Sequence, residues 1–271
     1  MTLDVVAGLA VPPGERPDLA RRDSADDLGL GDKKTGRKAL ASIIDELDGL
    51  QARLWAEAKR SVLLVLQGMD TAGKDGVIRK VLTGLNPQGC SVVSFKAPTR
   101  LELEHEYLWR VHEACPARGT LGVFNRSHYE DVVAVRVLGL IDDERCRRRY
   151  RHLREFEQML TDEGTAIVKV FLHISCDEQR SRLQARLDNP AKRWKFAFED
   201  LETRKQWDVY QAAYEDAISE TSTECAPWWI VPSDHKWVRD VAVASLLLDA
   251  FRRLDPQFPP PDPRLDGVTV E

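Results

Sequence analysis

Leu40, Ile43, Ile44, Leu47, Leu50, Leu54 and Ala58 recur at helical spacing, which predicts one amphipathic helix starting near residue 39. It should end around Lys59 and Arg60, where cations suit the negative end of a helix dipole. Short apolar runs then alternate with helical patterns. Residues 62–66, 91–95, 121–124, 166–174 and 228–231 are too short for helices, are rich in Val, Ile, Phe or Trp, and read as strands. Between them, residues 77–85, 100–114, 143–160, 177–187 and 201–218 read as helices, and 238–254 as a closing one. Thr99 with Glu102, and Ser175 with Glu178, have capping-box spacing. This alternation predicts an α/β fold in three layers, a five-stranded parallel sheet with helices over both faces. Residues 1–38 mix charges without a sustained period and read as a loosely held, partly flexible arm; residues 39–255 form the domain, and 256–271 are a proline-rich tail.

Composition narrows the function. At 271 residues, 43% hydrophobic and 31% charged, the chain suits one large domain or two small ones. Its longest aliphatic run, residues 62–66, is far below a membrane span of about 20 residues. Asp4 stands where a secretory signal would carry a cation, and the five cysteines are odd in number and contain no C-x-x-C pair, which predicts reduced thiols in a cytoplasm. The net charge of −5 gives no long-range pull toward nucleic acid or an anionic membrane, so neither is an expected partner. A polyanion would have to be held by local clusters, such as Arg145–Arg154 or residues 180–195.

The strongest chemical signal follows the first strand. GMDTAGKDG, Gly68 to Gly76, is G-x-x-x-x-G-K between a strand and a helical pattern, the setting in which backbone N–H groups and a helix N-terminus surround phosphate while Lys74 neutralises it. Gly68, Met69, Thr71, Ala72, Gly73, Asp75 and Gly76 are the phosphate-binding candidates around Asp70 and Lys74. Asp75 stands where a Ser or Thr normally offers a hydroxyl to magnesium, and the strand at 121–124 is followed by Asn125 rather than Asp. A motor or switch NTPase with the common metal arrangement is disfavoured.

GMDTAGKDG, FKAPTRLELEHEYLWRVHE, FNRSHYEDV, DNPAKRWKF, DLETRKQWDVYQ and APWWIVPSDHKWVRDV, in this order, resemble the family-2 polyphosphate kinases over about residues 39–254. That resemblance implies a P-loop kinase fold with a helical lid, here at about residues 180–200. It implies phosphoryl transfer between inorganic polyphosphate and nucleotides (AMP, ADP, ATP, with guanine nucleotides as further candidates), magnesium or manganese as cofactor, and a homodimer or homotetramer. GKDG and FNRSHYEDV are similar to the subclass that phosphorylates AMP as well as ADP; ADP-restricted members carry Asp at the position of Asn125 and typically Gly at that of Asp75.

Phosphoryl transfer needs in-line positioning and charge neutralisation more than covalent chemistry. The catalytic candidates are therefore Asp70, Lys74 and Arg126, with Arg126 resembling the family's strand-end arginine and suited to bidentate phosphate contact. Asp70 and Asp131 are the metal candidates. Asn125, Glu130 and Asp131 read either as metal or ribose contacts or, for the two acids, as solvated carboxylates. Trp109 and Arg110 lie near the nucleotide by resemblance, with Trp109 as ordinary core the competing reading. Arg182 and Arg186, four residues apart on one helix face, and Lys192 and Arg193 beyond the Asn189-Pro190 break form the lid candidates for gripping polyphosphate. The arginines of 145–154 either extend a polyphosphate track or form a solvated, acid-balanced face. The rival functions are an ATP-dependent nucleoside monophosphate kinase and a non-catalytic nucleotide-binding protein.

Overall fold

Ser61–Gln67 is buried at every position, as a strand must be when neither of its faces carries charge and both need cover. A computed structural model describes residue 6 and residues 8–270. Among the described residues the strands are β1 (Ala10–Val11), β2 (Ser61–Gln67), β3 (Cys90–Ser94), β4 (Leu121–Asn125), β5 (Thr165–His173) and β6 (Trp228–Pro232), forming one sheet in the order β1-β6-β5-β2-β4-β3. β2 to β6 are parallel and match the five strands read from the sequence to within one residue at each end. The sheet has six strands rather than five, because Ala10 and Val11 add antiparallel to Trp229 and Trp228.

The helices are α1 (Lys33–Glu57), α2 (Lys74–Val81), α3 (Arg100–Leu103), α4 (Trp109–Ala114), α5 (Ala134–Val137), α6 (Asp143–Asp162), α7 (Cys176–Asp188), α8 (Glu199–Lys205), α9 (Trp207–Thr221) and α10 (Lys236–Leu254). α10 lies across β2, β5 and β6 with α1 and α2 alongside, while α6 packs on β5 with α9 alongside. α10 is buried from Val238 to Leu248 because the sheet takes one side of it and α1 another.

Four expectations are corrected. The arm is not loosely held over its described part: Leu9, Val11 and Leu19 are buried, and Leu19 N donates to Glu215 of α9 at 2.9 Å. α1 starts at Lys33, six residues before the expected point, because the Asp32 carboxylate caps Lys34 N at 2.7 Å and Thr35 N at 2.8 Å. The helix expected over 100–114 is two, although its Thr99–Glu102 capping box is complete; Glu106 accepts from Leu108 N at 2.7 Å in the break. The helix over 201–218 likewise divides at Gln206.

β2 has β4 on one side and β5 on the other, so the chain changes direction across the sheet there. In parallel sheets the carboxyl ends of strands at such a switch form the ligand crevice.

Candidate active site

The loop after β2 is dictated by its glycines. At Gly68, φ is 146° and a Cβ would stand 2.8 Å from Leu172 O; at Gly73, φ is 109° and a Cβ would fall 1.8 Å from Arg239 Nη1. Another residue at either position must displace backbone or the buried Arg239. Met69 and Ala72 are buried, and Thr71 is left-handed at φ 65°, a strained conformation kept only where surroundings enforce it. Gly73 caps α2 without a side-chain bond, leaving the first-turn N–H groups near Asp75 and Gly76 for an anion. Lys74 folds back across the loop, its Nζ donating to Gly68 O at 2.6 Å and to Met69 O at 3.4 Å. Burial, reinforced by the nearby Arg126 cation, pulls the Lys74 pKa down. A phosphate placed beside it would favour the charged form.

β4 brings Asn125 level with Leu66, at the same edge. The next residue, Arg126, is also left-handed, at φ 61°, with its N–H on Leu66 O at 3.1 Å. That turn sends its guanidinium to the loop, where Nη2 donates to Asp70 Oδ1 at 2.8 Å. Asn125 Nδ2 donates to Asp75 Oδ1 at 2.8 Å, so strand end and loop are tied twice. Glu130 joins them: burial raises its pKa, and Arg126 and Lys74 offset this only in part. With its amide oriented to accept from Ser127, Gln67 donates to Glu130 Oε1 at 3.1 Å.

Asp200 was missed by sequence reasoning. Asp200 accepts from Arg186 Nη1 at 3.1 Å, and burial together with the Asp70 charge raises its pKa. Its only signal was a place in DLETRKQWDVYQ. Gln179, also missed, is buried and donates to Asp70 O at 3.1 Å, bracing the loop from α7.

The structure redirects several candidates. Arg182 is buried, not a free lid cation: Nε donates to Glu178 at 2.7 Å, Nη1 to Thr71 O and Ala72 O at 3.0 and 3.1 Å, and Nη2 to Ser233 O and Asp234 O at 2.7 and 2.8 Å. All five N–H donors are used, leaving none for phosphate. Asp131 is not poised for a metal; it is buried between Arg110 at 3.3 Å and Arg149 at 3.8 Å. Arg110, which also donates to Lys96 O at 2.8 Å, is a buried support rather than an open nucleotide contact. Trp109 is half-buried and stacked on His105 at 4.2 Å.

In the candidate lid, Arg186 is held by Asp200 and by Lys195 O at 3.3 Å, Arg193 Nε donates to Leu187 O at 2.7 Å, and Lys192 is exposed. Lys195 Nζ lies 3.7 Å from Asp75 Oδ2, so this segment reaches the phosphate loop. On α6, Arg148, Arg151 and Arg154 each pair with a carboxylate, Glu144, Glu155 and Glu220, which fits the acid-balanced reading of that face.

Similarity to known proteins agrees with this geometry. A relative from Meiothermus ruber, an "AMP/ADP-polyphosphate phosphotransferase", is 51% identical over 262 residues, covering 96% of this chain and 98% of that one. An "ADP-polyphosphate phosphotransferase" from Rhodopseudomonas palustris is 44% identical, covering 93% of this chain and 92% of its own. The crystal structure of polyphosphate kinase 2 from Arthrobacter aurescens superposes with a TM-score of 0.92 at 45% identity, covering 96% of this chain and 93% of that chain. The family model described as Polyphosphate kinase 2 (PPK2) matches residues 31–259, and the chain belongs to that family.

Proposed function

We propose that this chain is a phosphotransferase that moves a phosphoryl group from inorganic polyphosphate to AMP and to ADP, forming ADP and ATP. The observation that carries this reading is the convergence of Lys74, Arg126 and Asp70 at the carboxyl edge of β2 and β4, in a chain half identical to an AMP/ADP-polyphosphate phosphotransferase over nearly its whole length.

An acceptor phosphate is already ionised at neutral pH, so no strong general base is needed. Lys74 and the α2 N–H groups would hold the phosphoryl group undergoing transfer, and Arg126 would clamp the adjoining phosphates bidentately. Asp70, now paired with Arg126, is the residue that would hold a divalent cation. Magnesium fits this chain through Asp70: it commonly takes one or two carboxylates plus substrate phosphates, and no group of three His, Cys, Asp or Glu among the described residues is gathered into an all-protein site. When bound, it neutralises charge on the phosphate oxygens. Asn125 presents an amide, not a carboxylate, beside the loop, and so repels an incoming acceptor phosphate less than Asp would. The lid candidate at about residues 180–200, through Arg186, Lys195 and Asp200, would close over the donor.

The test is AMP with polyphosphate and magnesium but without ATP, followed by chromatography of products. ADP and then ATP should form. Formation of ADP only when ATP is the donor would replace this reading with a nucleoside monophosphate kinase.

A further inference from the structure

An ion pair lies in the interior away from the loop, and phosphoryl transfer as described leaves it unused. Lys169 of β5 and Glu157 of α6 are 0% and 1% exposed. Lys169 Nζ donates to Glu157 Oε2 at 2.6 Å, to the Tyr129 hydroxyl at 3.0 Å and to Thr221 O at 2.7 Å, using every ammonium proton. Glu157 Oε1 accepts from the Tyr129 hydroxyl at 2.7 Å and lies 3.2 Å from His128 Nε2, which must carry the proton in that contact. Burial would raise the Glu157 pKa, but the Lys169 ammonium and the His128 contact carry it below the ordinary carboxylate range.

Stability is a weak reason for such a pair. Removing each ion from water costs several kcal/mol, and apolar replacements of similar shape are often as stable or more so. What the pair grips is the short 3-10 turn His128–Asp131 just after the strained Arg126. His128 and Tyr129 are buried in the pair's network, and Asp131 is fixed on another side by Arg149, whose Nη1 donates to its carbonyl at 2.6 Å. Between and before these anchors stand Glu130 and Arg126, the two members of the turn region that face Lys74 and Asp70. A left-handed non-glycine residue persists only where its neighbours over-determine it, and only Ser127 separates Arg126 from the anchored pair.

We infer that Glu157 and Lys169 are positioning residues which, through Tyr129 and His128, hold the turn that aims Arg126 at the phosphates. The inference rests on Arg126 acting as the phosphate clamp. Misplacing a reacting or clamping group by about 1 Å costs up to ~100-fold in rate.

The experiment is a double-mutant cycle. Tyr129→Phe removes one hydroxyl, which touches both ions, and is made in the wild-type and Arg126→Ala backgrounds, with kcat, KM for polyphosphate and Tm measured for all four proteins. Tyr129→Phe should lower kcat about tenfold in the wild type and less than about twofold without Arg126, since residues acting as a unit are non-additive. Leu47→Ala, a fully buried core change in α1, serves as a stability control and should lower Tm without that loss of kcat. If Tyr129→Phe does not fold, Glu157→Gln takes its place in the cycle. Equal losses in both backgrounds, or a kcat loss matched by Leu47→Ala at the same Tm decrease, overturn the inference alone. An Arg126→Ala single variant with wild-type turnover overturns the clamp and the inference together.

Discussion

Replacing Arg182 separates a support from a substrate contact. Its guanidinium joins the loop carbonyls of Thr71 and Ala72 to the carbonyls of Ser233 and Asp234 beyond β6, with Glu178 balancing its charge. Arg182→Met keeps the apolar stem but strands the carbonyl oxygens of Thr71, Ser233 and Asp234, while Ala72 O retains Arg239 Nη1 at 3.3 Å and Glu178 is partly open to water. Each hydrogen bond to a charged group is worth about 1.5–3 kcal/mol, but losses within one network overlap. The bound set by breaking a buried ion network is about 3–5 kcal/mol, against ~5–15 for a whole domain. At about 2–4 °C per kcal/mol for a chain of this size, Tm should fall by roughly 6–20 °C. Thermal unfolding by circular dichroism measures this, with kcat and KM for polyphosphate taken well below the transition. Because the loop loses its tether, kcat should drop as well, with Thr71 and Ala72 gaining amide exchange. A Tm shift no larger than that of ordinary surface substitutions, about 0.5 kcal/mol, together with a raised KM for polyphosphate, would refute the tether and return Arg182 to the lid.

Lys74→Met should cut kcat by about 100-fold or more with the fold intact, as for other electrostatic stabilisers, and retention of more than about a third of wild-type turnover contradicts its role. Glu130 has a raised pKa in the folded protein through burial, so its ionisation weakens the fold as pH rises through that pKa. Glu130→Gln should therefore raise Tm at pH 8 and give no gain below about pH 4, where the unfolded carboxyl is protonated too, while lowering turnover; an equal gain at both pH values disproves the burial cost. Arg186→Ala should raise KM for polyphosphate and flatten its rise with salt more than Arg148→Ala, since Arg148 pairs with Glu144 on α6. The reverse ranking would move the polyphosphate track to α6.

The parallel strands and the phosphate loop were legible because each is local: a run such as VLLVL has no polar face to show water, and GMDTAGKDG needs only its flanking strand and helix. β1 was not legible, since two residues in a charged, proline-containing arm have no period, and their pairing with Trp228 and Trp229 depends on where the sheet edge lies. Arg182 and Arg186 share a helix face in sequence terms, yet one is buried and the other partly open. What decides this is the Ser233–Asp234 loop, about fifty residues further along the chain. Glu130 and Asp131 are adjacent acids that sequence cannot tell apart. The 3-10 turn sends the first toward Lys74 and Arg126 and the second toward Arg110 and Arg149.

A chain of net charge −5 that is to hold a polyanion keeps its cations masked until the polyanion arrives. Lys74 is bound to its own loop carbonyls, Arg126 to Asp70, Arg186 to Asp200, and Lys195 faces Asp75. The pairing of Lys74 keeps a buried cation partnered, and the more open pairings of Arg126, Arg186 and Lys195 can each be exchanged for phosphate oxygens. On the proposed reading, phosphate at Lys74 and Arg126 would take the place of Asp70, leaving its carboxylate as the residue that would hold a divalent cation. The exchange discriminates by charge density. A single phosphate can replace only one or two of these partners, whereas a linear polyphosphate spans the loop, the strand end and the segment around Lys195 at once, and so gains from every exchange together.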